Sequence, residues 1–316
     1  MARPTQFAAY LALAAVCFFW GTTYLAIRMS VESLPPQNLV AIRYMFSGTA
    51  LLAIAKFSRA SLPTGKELLY TSLCGLLIIG IGNGSLCFAE LWVPSGLASL
   101  YLTTSPFWMI GVEALVPGGQ RLHGPTIAGM LVGFAGTVLL VLPDALRDGF
   151  GGPMLRGFLI LQIGAAAWAA GSIFQRRIEA KAHPVVSGAV QQLATGLVYL
   201  GPAVFWHSKP IVWTHRSAGA VLYLVIFGSI VGYSAFIYAL THLPVSVVTI
   251  YNYVNPIVAV LLGWIIYHEQ IGAIELTAMT IIFVGVALVK HYAPPSAPSK
   301  PAAAPSPTPL RASVDS

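Results

Sequence analysis

Apolar residues run along this chain in blocks of about 20, long enough to cross a bilayer as a helix. Strict alternation, the mark of a half-buried strand, is absent from these blocks. They predict ten membrane-spanning helices, near 8–27, 38–55, 68–89, 95–116, 125–142, 156–175, 185–206, 218–240, 245–267 and 273–290. Ser217–Thr241 and Leu243–Tyr267 each run 25 residues without an Asp, Glu, Lys or Arg. The expected fold class is therefore an all-α polytopic membrane protein.

Composition strengthens this reading. Only 9% of residues are charged and 57% are hydrophobic, with a mean hydropathy of +0.77; soluble domains carry about 25% charged residues. The first apolar block is read as a span and not as a cleaved leader, because no convincing A-x-A site follows it. The connections are short, which leaves no room for a soluble domain. From Pro294 the chain turns Pro/Ala/Ser-rich, with seven prolines, and 293–316 is expected to be a disordered tail.

Basic residues orient the bundle. With the N-terminus inside, Arg3, Lys56, Arg59, Lys66, Arg121, Arg176, Arg177, Lys181, Lys290, Lys300 and Arg311 fall on the inner side. Arg28, Arg147, Arg156, Lys209 and Arg216 fall outside, and Arg43 lies within a span. Both termini are expected to face the cytoplasm across an inner, or plasma, membrane. The net charge of +7 then follows from topology, and no nucleic-acid partner is implied.

The two halves of the chain are copies. "CFAELWVPSGLASLYLTTSP" (87–106) lies over "IYALTHLPVSVVTIYNYVNP" (237–256) at a shift of 150, matching Ala89 with Ala239, Pro94 with Pro244, Tyr101 with Tyr251 and Pro106 with Pro256. At a shift of 148, Trp20 and Arg28 meet Trp168 and Arg176, Arg43 meets Gln191 and Gly48 meets Gly196. The expected units are 1–145 and 154–292, each of five spans. An odd number of spans makes two consecutive copies enter the membrane from opposite sides. Such inverted repeats recur in secondary transporters, with the substrate site at the repeat interface near the midplane.

The polar residues within the spans are the candidates for that site. "FFWGTTYLAIR" places Trp20, Thr23 and Tyr24 mid-span, and its second-half echo "WAAGSIFQRR" places Trp168 and Ser172. "YLTTSP" and "YNYVNP" add Tyr101, Thr104, Tyr251, Asn252 and Asn255; Asn83 and Gln191 complete the polar set. Facing lipid, such groups would cost a few kcal/mol each, so they are expected to line a substrate cavity or to bond neighbouring helices. Arg43 is expected either to snorkel to the interface, to pair with Glu90 or Glu32, or to bind a substrate carboxylate. Pro106 and Pro256, near the centres of spans 4 and 9, are expected to free the carbonyls of Leu102 and Asn252 and to act as hinges.

These features together resemble the EamA-type ten-helix exporters of the drug/metabolite transporter superfamily. The resemblance covers about 8–290 and rests on "FWGTTYLAIR", "AIRYMFSGTALL", the Ala…Pro pattern entering spans 4 and 9, and "NPIVAVLLGWIIYHEQIG". One departure is Gly119 in "VPGGQRL", where the second copy has Glu269. The resemblance implies export of small metabolites, amino acids or drugs across the inner membrane.

Rival classes find less support. "HEQIG" has Gly272 where a zinc-protease motif needs His, and no P-loop or nucleophile elbow occurs. A channel would need repeated carbonyl or charged rings, which are not visible. The seven histidines lie in loops or at span ends, so no His-based metal site is expected, nor any cofactor. Cys17, Cys74 and Cys87 all lie in apolar spans and imply no disulfide framework. Gly80 with Gly84, and Gly129 with Gly133, are spaced for close helix approach, within a monomer or across a homodimer.

Overall fold

The computed structural model of the chain describes residues 3–57, 60–119, 122–149, 151–178, 182–206, 209–270 and 272–292. The Pro-rich tail from 293 lies outside the described residues. Ten helices follow in chain order: α1 (Arg3–Val31), α2 (Pro36–Phe57), α3 (Lys66–Ala89), α4 (Ser95–Leu102 and Ser105–Leu115), α5 (Gly124–Asp148), α6 (Pro153–Arg177), α7 (Pro184–Phe205), α8 (His215–His242), α9 (Val245–Val248 and Tyr251–Tyr267) and α10 (Ala273–Tyr292). Proline opens many of them: Pro36, Pro125, Pro153 and Pro184 sit in first turns, and Pro94 and Pro244 immediately precede α4 and α9. There the missing N–H costs nothing and the fixed φ favours entry into the helix. Thr214 and Ser217 cap the start of α8 with a reciprocal capping box.

Seven of these helices are long and apolar enough to cross a membrane unaided. The other three depart for separate reasons. α7 is long enough but carries Ser187, Gln191, Gln192 and Thr195, all buried against neighbouring helices. α4 and α9 are each broken in two. Exposed aliphatic and aromatic side chains such as Leu11, Phe18, Leu131, Ile163, Leu197 and Leu222 stand on the outer surface, where hydrocarbon is their natural solvent.

The two halves interlock as an inverted pair. α1 packs on α8 and α9, and its counterpart α6 packs on α3 and α4. α2 packs along α7, and α5 along α10. The α2–α7 contact is reciprocal: Gly48 lies against Leu193, and Gly196 against Met45, the residue 148 positions before Leu193. A β-carbon on either glycine would sit about 2.8 Å from backbone nitrogen of the other helix. With lipid on the outside, helix association rests on such close van der Waals approach. Gly129 and Gly133 likewise pack within the chain, on Val289 and Phe107.

The fold thus divides into a group of α1, α8 and α9 and a group of α3, α4 and α6, with the α2–α7 and α5–α10 pairs beside them. α3 and α8 share one further irregularity. Each contains a π-helical stretch, at Leu76–Asn83 and Leu224–Val231, and adding 148 to the first gives the second. π-stretches inside α-helices concentrate at functional sites. Both of these face the space between the groups.

Candidate functional site

The two π-stretches are each held by an aromatic side chain from another helix. Trp20 on α1 donates its indole N–H to the Gly228 carbonyl at 3.1 Å. The Tyr199 hydroxyl on α7 donates to the Gly80 carbonyl, 148 residues earlier, at 2.8 Å. The paired tryptophans do not take equivalent places: Trp20 lies against Gly232 of α8 and Trp168 against Gly82 of α3, while Gly84, the match of Gly232, lies against Tyr199. A π-helical turn displaces the regular i→i−4 bonding, and carbonyls in such a turn need donors from elsewhere.

Between the groups, near the middle of the helices, lies a cavity of about 190 Å³. Trp20, Thr23, Tyr24, Arg43, Asn83, Trp168, Tyr251, Asn252 and Asn255 all line it, so the structure brings together nine residues that the sequence scattered over five helices. Pro256 lines it as well. Trp20 and Tyr251 meet edge to face with centroids 5.2 Å apart, and Phe236 packs on both. The Asn255 amide nitrogen is placed 3.0 Å from the Cys17 carbonyl and 3.1 Å from that of Tyr251, tying α9 to α1.

Arg43 is buried, 4% exposed, and does not snorkel. Its Nε donates to Ser229 Oγ at 2.8 Å and its Nη1 to Asn83 Oδ1 at 3.3 Å, so one guanidinium bridges the π-stretches of both halves. Tyr44 donates to the same Asn83 oxygen at 2.7 Å, and the guanidinium lies over the Tyr44 ring. Neither Glu90 nor Glu32 pairs with it. Among the described residues no carboxylate lies within ion-pair distance of Arg43.

Four residues expected in the cavity lie elsewhere. Tyr101 is fully buried, with its ring edge-on to Phe158 of α6. Thr104 is also fully buried, with its hydroxyl 2.8 Å from the Tyr101 carbonyl and 3.0 Å from Gln162 Oε1. Gln191, the counterpart of Arg43, packs against Gly75 and donates to Gln175. Ser172 lies on the part of α6 beyond the cavity. The hinge at Pro106 also takes another form. α4 breaks before this proline, which occupies the first turn of the second half-helix and so displaces no bond from mid-helix. The Leu102 carbonyl is not free for a ligand, since Ser105 Oγ donates to it at 2.6 Å. Thr103 donates back to Leu100 in the same way.

Gln162 of α6 completes this arrangement and was not foreseen from sequence. Its Oε1 accepts from Trp108 Nε1 at 2.8 Å as well as facing Thr104, and its Nε2 donates to the Tyr101 carbonyl at 3.3 Å. Ser229, Tyr44, Tyr233 and Gln192 are further lining residues that sequence reasoning missed. A buried Gln in an apolar span was the one signal for Gln162 and Gln192; nothing singled out Ser229.

Apart from the bridge that Arg43 of α2 makes at the cavity, the polar contacts made directly between the two groups occur, among the described residues, at one end of the bundle, where α1 finishes. Glu269 accepts from Ser95 N and Oγ, both at 2.9 Å, and from Gly96 N at 3.0 Å, so it caps α4 from the far side of the cavity. Arg28 of α1 donates to the Glu90 carbonyl oxygen. Nearby, Tyr267 donates to Glu32, and Arg216 lies against both. At the opposite end, the Arg176–Glu113 ion pair joins α6 to α4, within one group.

The Glu90 carboxyl itself is fully buried in the short connection after α3, and neither oxygen has a hydrogen-bond partner among the described residues. Burial holds it well above the ordinary carboxylate range; Arg28 opposes this and Glu269 adds to it.

A family model described as the EamA-like transporter family matches residues 7–142 and 155–290, one match for each half. The chain belongs to the EamA-like transporter family. This EamA-like protein is a membrane transporter, with ten transmembrane helices in two inverted five-helix repeats. It is 34% identical over 280 residues to the "Uncharacterized inner membrane transporter YedA" of Escherichia coli strain K12, covering 88% of this chain and 89% of that one. It is 28% identical to a "Probable amino-acid metabolite efflux pump" of the same organism, over 86% of this chain and 91% of that one. A solved crystal structure that is 24% identical, covering 90% of this chain and 99% of its own, has the same fold with a TM-score of 0.62.

Proposed function

We propose that the chain is a secondary transporter that exports small organic metabolites, amino acids or related amphipathic compounds, by alternating access. The observation that carries this reading is a polar and aromatic cavity between two three-helix groups whose direct polar contacts lie at one end, with Arg43 of α2 bridging them only at the cavity itself. Alternating access needs a central site at the repeat interface, with one end closed and the other free to admit substrate. With the N-terminus in the cytoplasm, as the basic residues predict, the cross-linked end faces outward and loading occurs from the cytoplasm. Rocking of α1, α8 and α9 against α3, α4 and α6 would break the Glu269 and Arg28 contacts and expose the site to the other side. The similarity to a probable efflux pump supports the direction and the substrate class. The cavity is complete within one chain, so a monomer in a lipid bilayer suffices, and the reading requires no cofactor and no nucleic acid.

A metabolite-toxicity rescue panel in overexpressing cells identifies candidate substrates, and labelled counterflow in proteoliposomes then tests the mechanism. The expected result is saturable uptake accelerated by unlabelled compound on the far side. Flux without such trans-stimulation would mean a channel and would overturn the proposal.

A further inference from the structure

The cavity has a definite electrostatic character. Arg43 is its single charged lining residue, with six aromatic side chains, Trp20, Tyr24, Tyr44, Trp168, Tyr233 and Tyr251, around it. Burying a guanidinium without a carboxylate is costly. Here two of its nitrogens are held by neutral groups, Ser229 and Asn83, while Nη2 makes no hydrogen bond to a described residue and lies against Gly228. Those two bonds neutralise nothing and fix the plane of the fork. A planar fork fixed in this way suits an incoming carboxylate.

From this arrangement we propose that Arg43 is an anion-binding residue, and that the cavity selects small molecules carrying a carboxylate on an apolar or aromatic body. The carboxylate completes the charge pair on Nη2, and the body packs among the Trp and Tyr rings. Molecules of net positive charge are rejected, because an ammonium that brings no carboxylate with it meets Arg43 and no acid. Since Arg43 already spans Asn83 of α3 and Ser229 of α8, an anion placed on it joins the two repeats through one contact. This inference rests on the cavity being the transported compound's site, and it names the class of that compound.

The test measures binding alone, apart from transport. Hexanoate and 3-phenylpropionate are each compared with the primary amide and the amine of the same skeleton, using purified protein in lipid nanodiscs. Isothermal titration and quenching of tryptophan fluorescence report the binding. Each carboxylate is expected to bind at least about tenfold more tightly than its amide, the scale of a charge-assisted hydrogen bond, and the amines not to compete. Arg43→Met should abolish the carboxylate preference, so that carboxylate and amide bind the variant alike. Equal binding of carboxylate and amide by the wild type, or competition by the amines, overturns the proposal even if Arg43→Met does not fold. The two readings fail separately. Carboxylate selectivity without counterflow would leave the anion site standing and remove the transporter mechanism. Counterflow of a cation undiminished in Arg43→Met would do the reverse.

Discussion

The indole nitrogen of Trp20 lies 3.1 Å from the carbonyl oxygen of Gly228, and this bond anchors α1 to the π-stretch of α8. Its structural echo uses a different residue, since Tyr199 and not Trp168 serves the Gly80 carbonyl. The duplicated backbone irregularity thus needs a donor in both halves, and each half recruits the donor its packing offers. Trp20→Phe keeps the ring stacking and removes the N–H, leaving Gly228 O without that donor. An orphaned buried carbonyl costs about 1–3 kcal/mol. The unfolding midpoint of Trp20→Phe should fall, and Tyr199→Phe should fall comparably; unchanged midpoints in both would show that the π-stretches do not depend on these bonds.

Gln162 holds the break in α4 through three neighbours: Thr104, Trp108 and the Tyr101 carbonyl. Gln162→Leu removes all of them at once in a buried site, with an expected loss of about 1–3 kcal/mol. Thr104→Val should cost less, because Trp108 still satisfies Gln162 Oε1. Thermal unfolding of the two variants gives the order, and a reversed order would contradict the role assigned to Gln162.

Glu90 makes stability depend on pH in a definite direction. Its carboxyl is held above the ordinary range in the folded protein, so between the unfolded and folded values the folded state binds more protons. Stability is then greatest at acid pH and falls as pH rises through that window. Glu90→Gln, which mimics the neutral acid, should match wild type near pH 5 and be the more stable protein at pH 8. If the two melting profiles stay parallel from pH 5 to pH 8, the carboxyl is not neutral in the folded state.

Glu269 closes the end of the bundle where α1 finishes by accepting three hydrogen bonds from Ser95 and Gly96. Glu269→Ala should shift the population toward the state open at that end. A cysteine at Ser99, which lines the cavity, introduced into a chain lacking Cys17, Cys74 and Cys87, reports this through labelling by an impermeant thiol reagent added from that side. Labelling several-fold faster in the Glu269→Ala background is expected. Equal labelling would remove Glu269 from the closure.

The sequence by itself determined the number of spans, the duplication and the most informative residues within it. Apolar blocks of bilayer length admit one reading, and the 148-residue offset of Trp20 and Trp168 reappears in the two π-stretches. Asking which side chains lipid would not tolerate led to all thirteen candidates, of which nine stand around the central cavity and four lie elsewhere. That question cannot separate a group facing a cavity from one bonded to a neighbouring helix, because both escape lipid equally well. Only the tertiary structure decided that Thr104 and Tyr101 serve the break in α4, that Gln191 packs against Gly75 while its counterpart Arg43 bridges Asn83 and Ser229, and that the Glu90 carboxyl has no hydrogen-bond partner among the described residues. These outcomes depend on the rotation of each helix about its axis and on which carbonyls a π-turn or a break releases. Both are properties of how helices distant in the chain pack together, and no local pattern of residues records them.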